Sequence, residues 1–393
     1  MAAVIVLMIA ATFIEKIQGT PAALKLVYHN PVFMALWGLA AVCALWFILQ
    51  GEGLGRRCAT VLLHISFPII LAGALITHIW GKEGRVLLEP GKTVTQWVME
   101  DGSQWDLPVP MTLQEFQIDR YPGSTAPSDY RSIITVGTGA DASTLTISMN
   151  NIGKIDGYRF YQADYDGDSS ILMVVRDPWG VAITYLGYLL LLAGMLGFFF
   201  QKESGLKRAV TRLSESGKGW RRYCYLYPAV LILALLALFI VFRTGAYSKE
   251  AQMAPVLRSP LLFIHVTPIV LSYILFAALA VIGIIGLISK KASGRLMDLS
   301  LTILYPAVFL ITFGTFLGAV WANISWGSYW AWDPKETWAL ITLLVYAAPL
   351  HGSTLKAFQK PRFFHIYVFI AFLCVLITYF GVNLILGGMH SYS

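Results

Sequence analysis

Charge is scarce in this 393-residue chain: Asp, Glu, Lys and Arg together make up 13% of it, against 57% hydrophobic residues. A large soluble protein with that balance would have too little polar surface to cover its core, so the composition turns the reading toward a membrane. Cysteine is also scarce. Cys43, Cys58, Cys224 and Cys374 are scattered with no CxxC spacing, which argues against a disulfide framework or a thiolate metal site and leaves them as small buried hydrophobes. No CxxCH occurs, so the chain does not itself carry a covalently attached c-type haem. Asp and Glu are nearly absent from the apolar runs, which weakens a proton-relay reading. No Lys or Arg precedes the apolar stretch Met1 to Ile14, so it reads as a first span rather than a signal peptide. Internal repeats and low-complexity tracts are also lacking.

What is present is a series of apolar runs near the ~20 residues needed to cross a bilayer. They fall at about 1–14, 31–50, 60–80, 179–200, 223–242, 261–289, 299–321, 337–351 and 363–387. The expected fold is a polytopic α-helical membrane protein of about nine spans. Basic residues orient it, because cytoplasmic loops are enriched in Lys and Arg. Lys202, Lys207, Arg208, Arg212, Lys218, Arg221 and Arg222 form the strongest basic run and set that loop inside. Alternation then places Arg56, Arg57, Lys290, Lys291, Arg295, Lys356, Lys360 and Arg362 inside as well. The net charge of +7 is thus a topology signal and an attraction to lipid surfaces rather than a nucleic-acid footprint.

Between about 81 and 178 the apolar runs stop, and alternating pieces such as "STLTISM" and "YRFYQADY" are separated by "EPGK", "YPGS" and "YDGD" turns. A β-rich domain on the extracytoplasmic side is expected there. The basic loop divides the chain into residues 1–222 and 223–393.

Depth along the spans, at about 1.5 Å per helical residue, sorts four of the seven histidines into two levels. His64 and His351 fall toward the inner ends of their spans, while His265 and His390 fall at the outer surface. A single membrane histidine is commonly a helix-packing donor. Two pairs at two depths point instead to imidazoles placed as axial ligands of haem iron. His29, His78 and His365 sit at span ends without an evident partner and read as interfacial.

"WGSYWAWDPKETW" then stands out, with Trp326, Trp330, Trp332 and Trp338 in thirteen residues and Trp321 just before it. An interfacial aromatic belt accounts for one or two of these. Gly327 and Pro334 break the helix, and Asp333, Lys335 and Glu336 are expected to hold the loop at the water boundary, giving an aromatic shelf for a flat apolar ligand with charged edges. Arg243 and Arg258, before His265, are candidate partners for such charges.

"WGSYWAWDPKETWALITLLVYAAPLH" resembles the WWD signature of the haem-handling proteins of cytochrome c biogenesis. "SPLLFIHVTPIVLSY" and "TYFGVNLILGGMHSY" resemble segments of the CcsA (ResC) member, while "LLHISFPIILAGALIT" and "DGYRFYQADYDGDSSILMVVRDPWG" resemble its partner CcsB (ResB). The chain as a whole resembles a compact fused CcsBA, the system II cytochrome c synthase, with a CcsB-like module at 1–222 and a CcsA-like module at 223–393. The resemblance implies a lyase of the bacterial inner membrane. It would export haem b and join it through thioethers to the CxxCH segment of an apocytochrome c kept reduced by a thioredoxin-like protein. It implies that His64 and His351 take haem from the inner side. It also implies that His265 and His390 hold the iron beside a shelf of Trp321, Trp326, Gly327, Trp330, Trp332, Asp333 and Trp338. His351 is followed by "GSTLK", where the family commonly has an Arg, so Lys356 would supply any basic contact. Two other readings stay open from the residues: a haem transporter or chaperone serving a separate ligase, and an electron-transfer protein with permanent b-type haems.

Overall fold

In the structure, a computed structural model describing residues 1–50, 58–99, 101–139, 142–202, 204–217, 236 and 255–386, apolar helices form a bundle and an antiparallel sheet is inserted in the chain between two of them. Helices α1 (Ala2–Gln18), α2 (Thr20–Tyr28), α3 (Pro31–Gln50) and α4 (Cys58–Trp80) precede the sheet. After it come α5 (Gly180–Phe200), α6 (Gly205–Glu215), α7 (Pro260–Ile288), α8 (Ser293–Trp326), α9 (Pro334–Ala347) and α10 (Pro361–Leu386).

Helix covers every expected run among the described residues, with α8 extending six residues before its run and five beyond it. Of the 223–242 run only Leu236 is described. Length and hydropathy qualify five helices as membrane-crossing, or six if α2 and α3, bent by 55° at a short break, form one span. Among the described residues, then, five or six of the nine expected spans are long and apolar enough to cross a membrane. The opening helix has 17 residues, and α9 has only 14 before a single 3-10 turn, Ala348–His351. At about 1.5 Å per residue, α9 reaches about 21 Å, short of a hydrocarbon core of about 30 Å.

The region expected to be β-rich holds β1 (Lys82–Leu88), β2 (Thr93–Met99), β3 (Gln104–Arg120), β4 (Pro127–Val136), β5 (Ser143–Ser148), β6 (Gly153–Ile155), β7 (Tyr158–Asp166) and β8 (Ser169–Arg176). These eight strands lie in the order β5-β4-β3-β2-β1-β8-β7-β6, with all strand pairs antiparallel. The first and last strands in the chain, β1 and β8, pair at the centre of the sheet from Lys82 with Arg176 to Leu88 with Ser170, and so bring the chain back to α5 beside α4. Alternation supplies the core: Val86, Leu88, Trp97, Met111, Leu113, Ile134, Ile147, Phe160, Leu172 and Val174 form one apolar cluster under the sheet.

Close packing of α4 on α5 is written into glycines seven residues apart. A Cβ at Gly187 would stand 2.5 Å from an Ile70 side-chain carbon, and one at Gly194 would stand 2.6 Å from the Leu63 amide nitrogen. Small residues let helix backbones approach where lipid supplies no hydrophobic drive. The same device joins α7 to α8, where Gly314 and Gly318 form a GxxxG pair against Ile269 and His265. At the far end of the bundle from the sheet, basic α6 docks on the start of α8 through Leu213, Leu296 and Leu299, with Arg212 donating to Asp298 at 2.7 Å.

Candidate functional site

His64 lies on α4 next to Leu63, which makes the Gly194 contact with α5, and His351 closes the 3-10 turn after α9. Their rings meet with centroids 5.9 Å apart and planes at 85°. His64 Nδ1 lies 2.7 Å from the Thr60 carbonyl oxygen, and His351 Nδ1 lies 2.9 Å from that of Ala347. A carbonyl can only accept, so Nδ1 carries the hydrogen in both rings and the lone pair sits on Nε2. That is the arrangement in which a backbone acceptor fixes the tautomer of a metal-ligating imidazole. With a metal–nitrogen distance of about 2 Å and about 1.1 Å from nitrogen to ring centre, two trans imidazoles stand about 6 Å apart.

His265 repeats the device one turn into α7. Its Nδ1 donates to the Leu261 carbonyl at 3.0 Å, again leaving the lone pair on Nε2. The ring is buried, stacks on Trp321 at 5.1 Å and 24°, and faces Gly318, where a Cβ would come within 3.1 Å of Cδ2. Its expected partner His390 lies outside the described residues, as does Arg243. His365 is arranged the other way round. Its Nε2 donates to the Ser293 carbonyl at 3.0 Å, and the ring packs on Gly286, so it joins α10 to α7 and α8. His29 and His78, expected to stand alone, have ring centroids 5.1 Å apart.

The tryptophan segment leaves helix at Gly327, whose φ of 88° ends α8 in the left-handed conformation that glycine adopts at no steric cost. Helix resumes at Pro334, and the sequence there explains why. Asp333 accepts from the Lys335 amide at 2.8 Å as the N-cap, Pro334 takes the first helical position, and Glu336 reaches back to the Ala331 amide at 2.9 Å. Asp333 is thus 3% exposed and serves the helix end, rather than marking a water boundary. Lys335 donates to Asn383 at 2.9 Å, and burial holds its ammonium below the ordinary lysine range, with Asp333 opposing that shift.

The indoles do not lie flat together. Trp321 and Trp326 meet at 78°, and Trp330 and Trp332 meet at 85°. Trp332 has a φ of 59°, an outlier for a bulky residue, and stacks on Tyr28 at 4.4 Å while Phe33 meets it edge-on. Trp338 sits in an apolar cluster with Val4, Met8, Ile341 and Val382. Trp330 has a buried indole nitrogen with no hydrogen-bond partner among the described residues. Sequence reasoning missed Tyr28 and Phe33, since nothing local marks residues whose role is set by a loop 300 positions away.

It missed the joint beneath the loop as well. Asn323 Oδ1 accepts from Arg159 at 2.9 Å and from Tyr185 at 3.0 Å, and its Nδ2 donates to the Gly327 carbonyl at 3.0 Å. Tyr161 donates to the Asn323 carbonyl at 3.1 Å, and its ring lies against Gly327. Burial pushes the Tyr161 hydroxyl up to about 12. Tyr329 donates to Thr77 at 3.0 Å, and Thr77 donates to Asp177 at 2.6 Å. Sheet and tryptophan loop therefore share one end of the bundle. Thr77 stands thirteen residues, about 20 Å, along α4 from His64. Arg258, a candidate partner for ligand charge, instead donates to the Ser128 carbonyl at 3.1 Å and lies over Tyr121. Arg159 has a buried Nη2 with no hydrogen-bond partner among the described residues.

Comparison with known proteins finds two family segments in the chain, separated between residues 176 and 189. The ResB-like family matches residues 51–176, which hold α4 and the sheet. The Cytochrome C assembly protein family matches residues 189–390, just over half of the chain, including His265, the tryptophan loop and His351. The chain belongs to the cytochrome c assembly protein family. It carries both family segments in one polypeptide, as in a fused CcsBA protein. It is 40% identical over 180 residues to the cytochrome c biogenesis protein CcsA of Chlamydomonas reinhardtii, covering 42% of this chain and 50% of that protein. It is 36% identical over 185 residues to Protein NrfI of Wolinella succinogenes, covering 44% of this chain and 20% of NrfI. The CcsA protein of Guillardia theta is 35% identical over 203 residues, covering 43% of this chain and 67% of that one. The chain thus aligns with about half the length of the first of these relatives and a fifth of the second.

Proposed function

We propose that this member of the cytochrome c assembly family is a membrane-bound cytochrome c synthase that takes haem b as substrate, moves it across the bilayer and attaches it to a CxxCH segment of an apocytochrome c. The observation that carries the reading is the meeting of His64 and His351. Two imidazoles 287 positions apart in the chain stand 5.9 Å apart, each with Nδ1 tied to its own helix. Helix packing needs no second imidazole at that point, whereas haem iron needs two axial nitrogens.

On this reading His64 and His351 receive iron at the end of the bundle near basic α6, the cytoplasmic side. His265, oriented by Trp321, and His390 receive it at the tryptophan loop on the extracytoplasmic side. Trp326, Trp330, Trp332 and Gly327 line the macrocycle there. The Trp330 indole N–H and the Arg159 guanidinium are donors for the propionates. Each cysteine thiol of the CxxCH segment then adds across a vinyl group. A carbon–sulfur bond forms, the thiol hydrogen goes to the neighbouring vinyl carbon, and no net oxidation occurs. The site's contribution is to hold thiol and vinyl together, which removes several kcal/mol of barrier. A thioredoxin-like reductant keeps those cysteines in the thiol form.

The test is to express the full chain with an apocytochrome in a cell lacking its own maturation system. Covalent haem on the CxxCH segment, assayed after denaturation, is the expected result. Haem bound to the membrane protein with no covalent product would leave a carrier and sink the synthase reading.

A further inference from the structure

His29 and His78 form a pair outside the haem path proposed above. His29 lies in the two-residue break between α2 and α3, and His78 lies in the last turn of α4, beside the sheet. Both side chains are exposed. Neither ring has a hydrogen bond among the described residues, in contrast to His64, His265, His351 and His365, each of which is tied to a carbonyl. Burial therefore does not account for their contact, and two protonated imidazoles would repel each other.

Their spacing fits a shared ligand. The centroids are 5.1 Å apart with planes at 52°. For a metal–nitrogen distance of about 2 Å, two imidazoles at a tetrahedral angle stand about 5 Å apart, against about 6 Å for a trans pair. The His64 and His351 rings lie near the second value, and the His29 and His78 rings lie at the first.

We propose that His29 and His78 bind a divalent d-block cation of the Zn²⁺, Cu²⁺ or Ni²⁺ class, with water completing the coordination. Imidazole nitrogen selects this class over Mg²⁺ and Ca²⁺, which take oxygen. No group of three or more His, Cys, Asp or Glu side chains is arranged for a metal among the described residues, so the site is a two-ligand, exchangeable one. Its position gives it a task. The residue before His29 is Tyr28, which stacks on Trp332, so a cation bridging His29 and His78 fastens the α2–α3 break to α4 and steadies the residue under the tryptophan loop.

The test uses the full chain purified in detergent without haem, titrated with Zn²⁺ by calorimetry, alongside His29→Ala, His78→Asn and His64→Ala. One equivalent of Zn²⁺ is lost in the first two variants and retained in the third. In the wild type, Cu²⁺ at this site gives a paramagnetic resonance spectrum with two nitrogen ligands, reduced to one in either variant. Circular dichroism matching the wild type confirms that the variants fold. Equal Zn²⁺ stoichiometry in the wild type and both pair variants overturns the proposal. Since no haem is present, that result would leave the synthase reading standing.

Discussion

Tyr28 lies flat against Trp332, ring centroids 4.4 Å apart and planes within 13°, and its hydroxyl meets Thr337 Oγ1 at 3.2 Å. A residue near the start of the chain thus backs an indole that stands at a φ of 59°. Removing the backing should release that strained backbone. Tyr28→Ala is expected to cost about 3–5 kcal/mol, as for other large aromatic truncations, and Tyr28→Phe about 0.5–1.5 kcal/mol for the hydrogen bond alone. Thermal unfolding in detergent measures both. Trp330→Ala and Trp332→Ala should lose haem from the loop while the His64 and His351 level still binds it.

Gly194 gives a geometric test of the inner pair. A Cβ there meets the Leu63 amide nitrogen at 2.6 Å, so Gly194→Ala must push α4 from α5 next to His64. The expected cost is about 1–3 kcal/mol of overpacking, with weaker haem retention although both histidines are intact. Normal haem content in a protein shown to be destabilised would separate the two helices' packing from the site.

Tautomers predict which histidine replacements matter. His64→Gln and His351→Gln remove an Nε2 lone pair and should abolish the low-spin absorption of the inner haem. His365→Gln keeps a donor for the Ser293 carbonyl, so its haem spectrum should be unchanged and its stability lower by about 1 kcal/mol.

Alkaline pH should loosen the joint between sheet and loop. Tyr161 has its hydroxyl pushed up to about 12 by burial, against about 10 for an unperturbed tyrosine. A folded-state pKa above the unfolded one means that the contribution is whole below pH about 10 and is lost as pH rises toward 12. The stability difference between wild type and Tyr161→Phe should shrink across that window, with thermal midpoints as the readout.

Much of this architecture is legible without coordinates because lipid imposes it. Apolar runs place α3, α4, α5 and α7 to within about two residues, and counting depth puts His64 and His351 at one level, where their rings meet. The ends of α8 escape that method. Asn323 and Ser325 look like the close of a span, yet the helix runs on to Trp326 because both are buried against the sheet and hydrogen-bonded to it. Asp333 shows a misreading that local chemistry could have prevented. "DPKE" is an N-cap, a proline and a capping glutamate in order, a stronger reason for the position than contact with water. Tyr28 and the pairing of His29 with His78 depend on how helices from distant segments pack, which no window of sequence contains.

The joint around Asn323 has a consequence for inheritance. Arg159, Tyr161 and Thr77 come from the ResB-like half, and Asn323, Gly327 and Tyr329 from the assembly half, so neither half builds the support of the tryptophan loop alone. Were the two halves made as separate polypeptides, each membrane would have to match their copy numbers and find the right partner before the loop took shape. A single reading frame fixes that ratio at one to one.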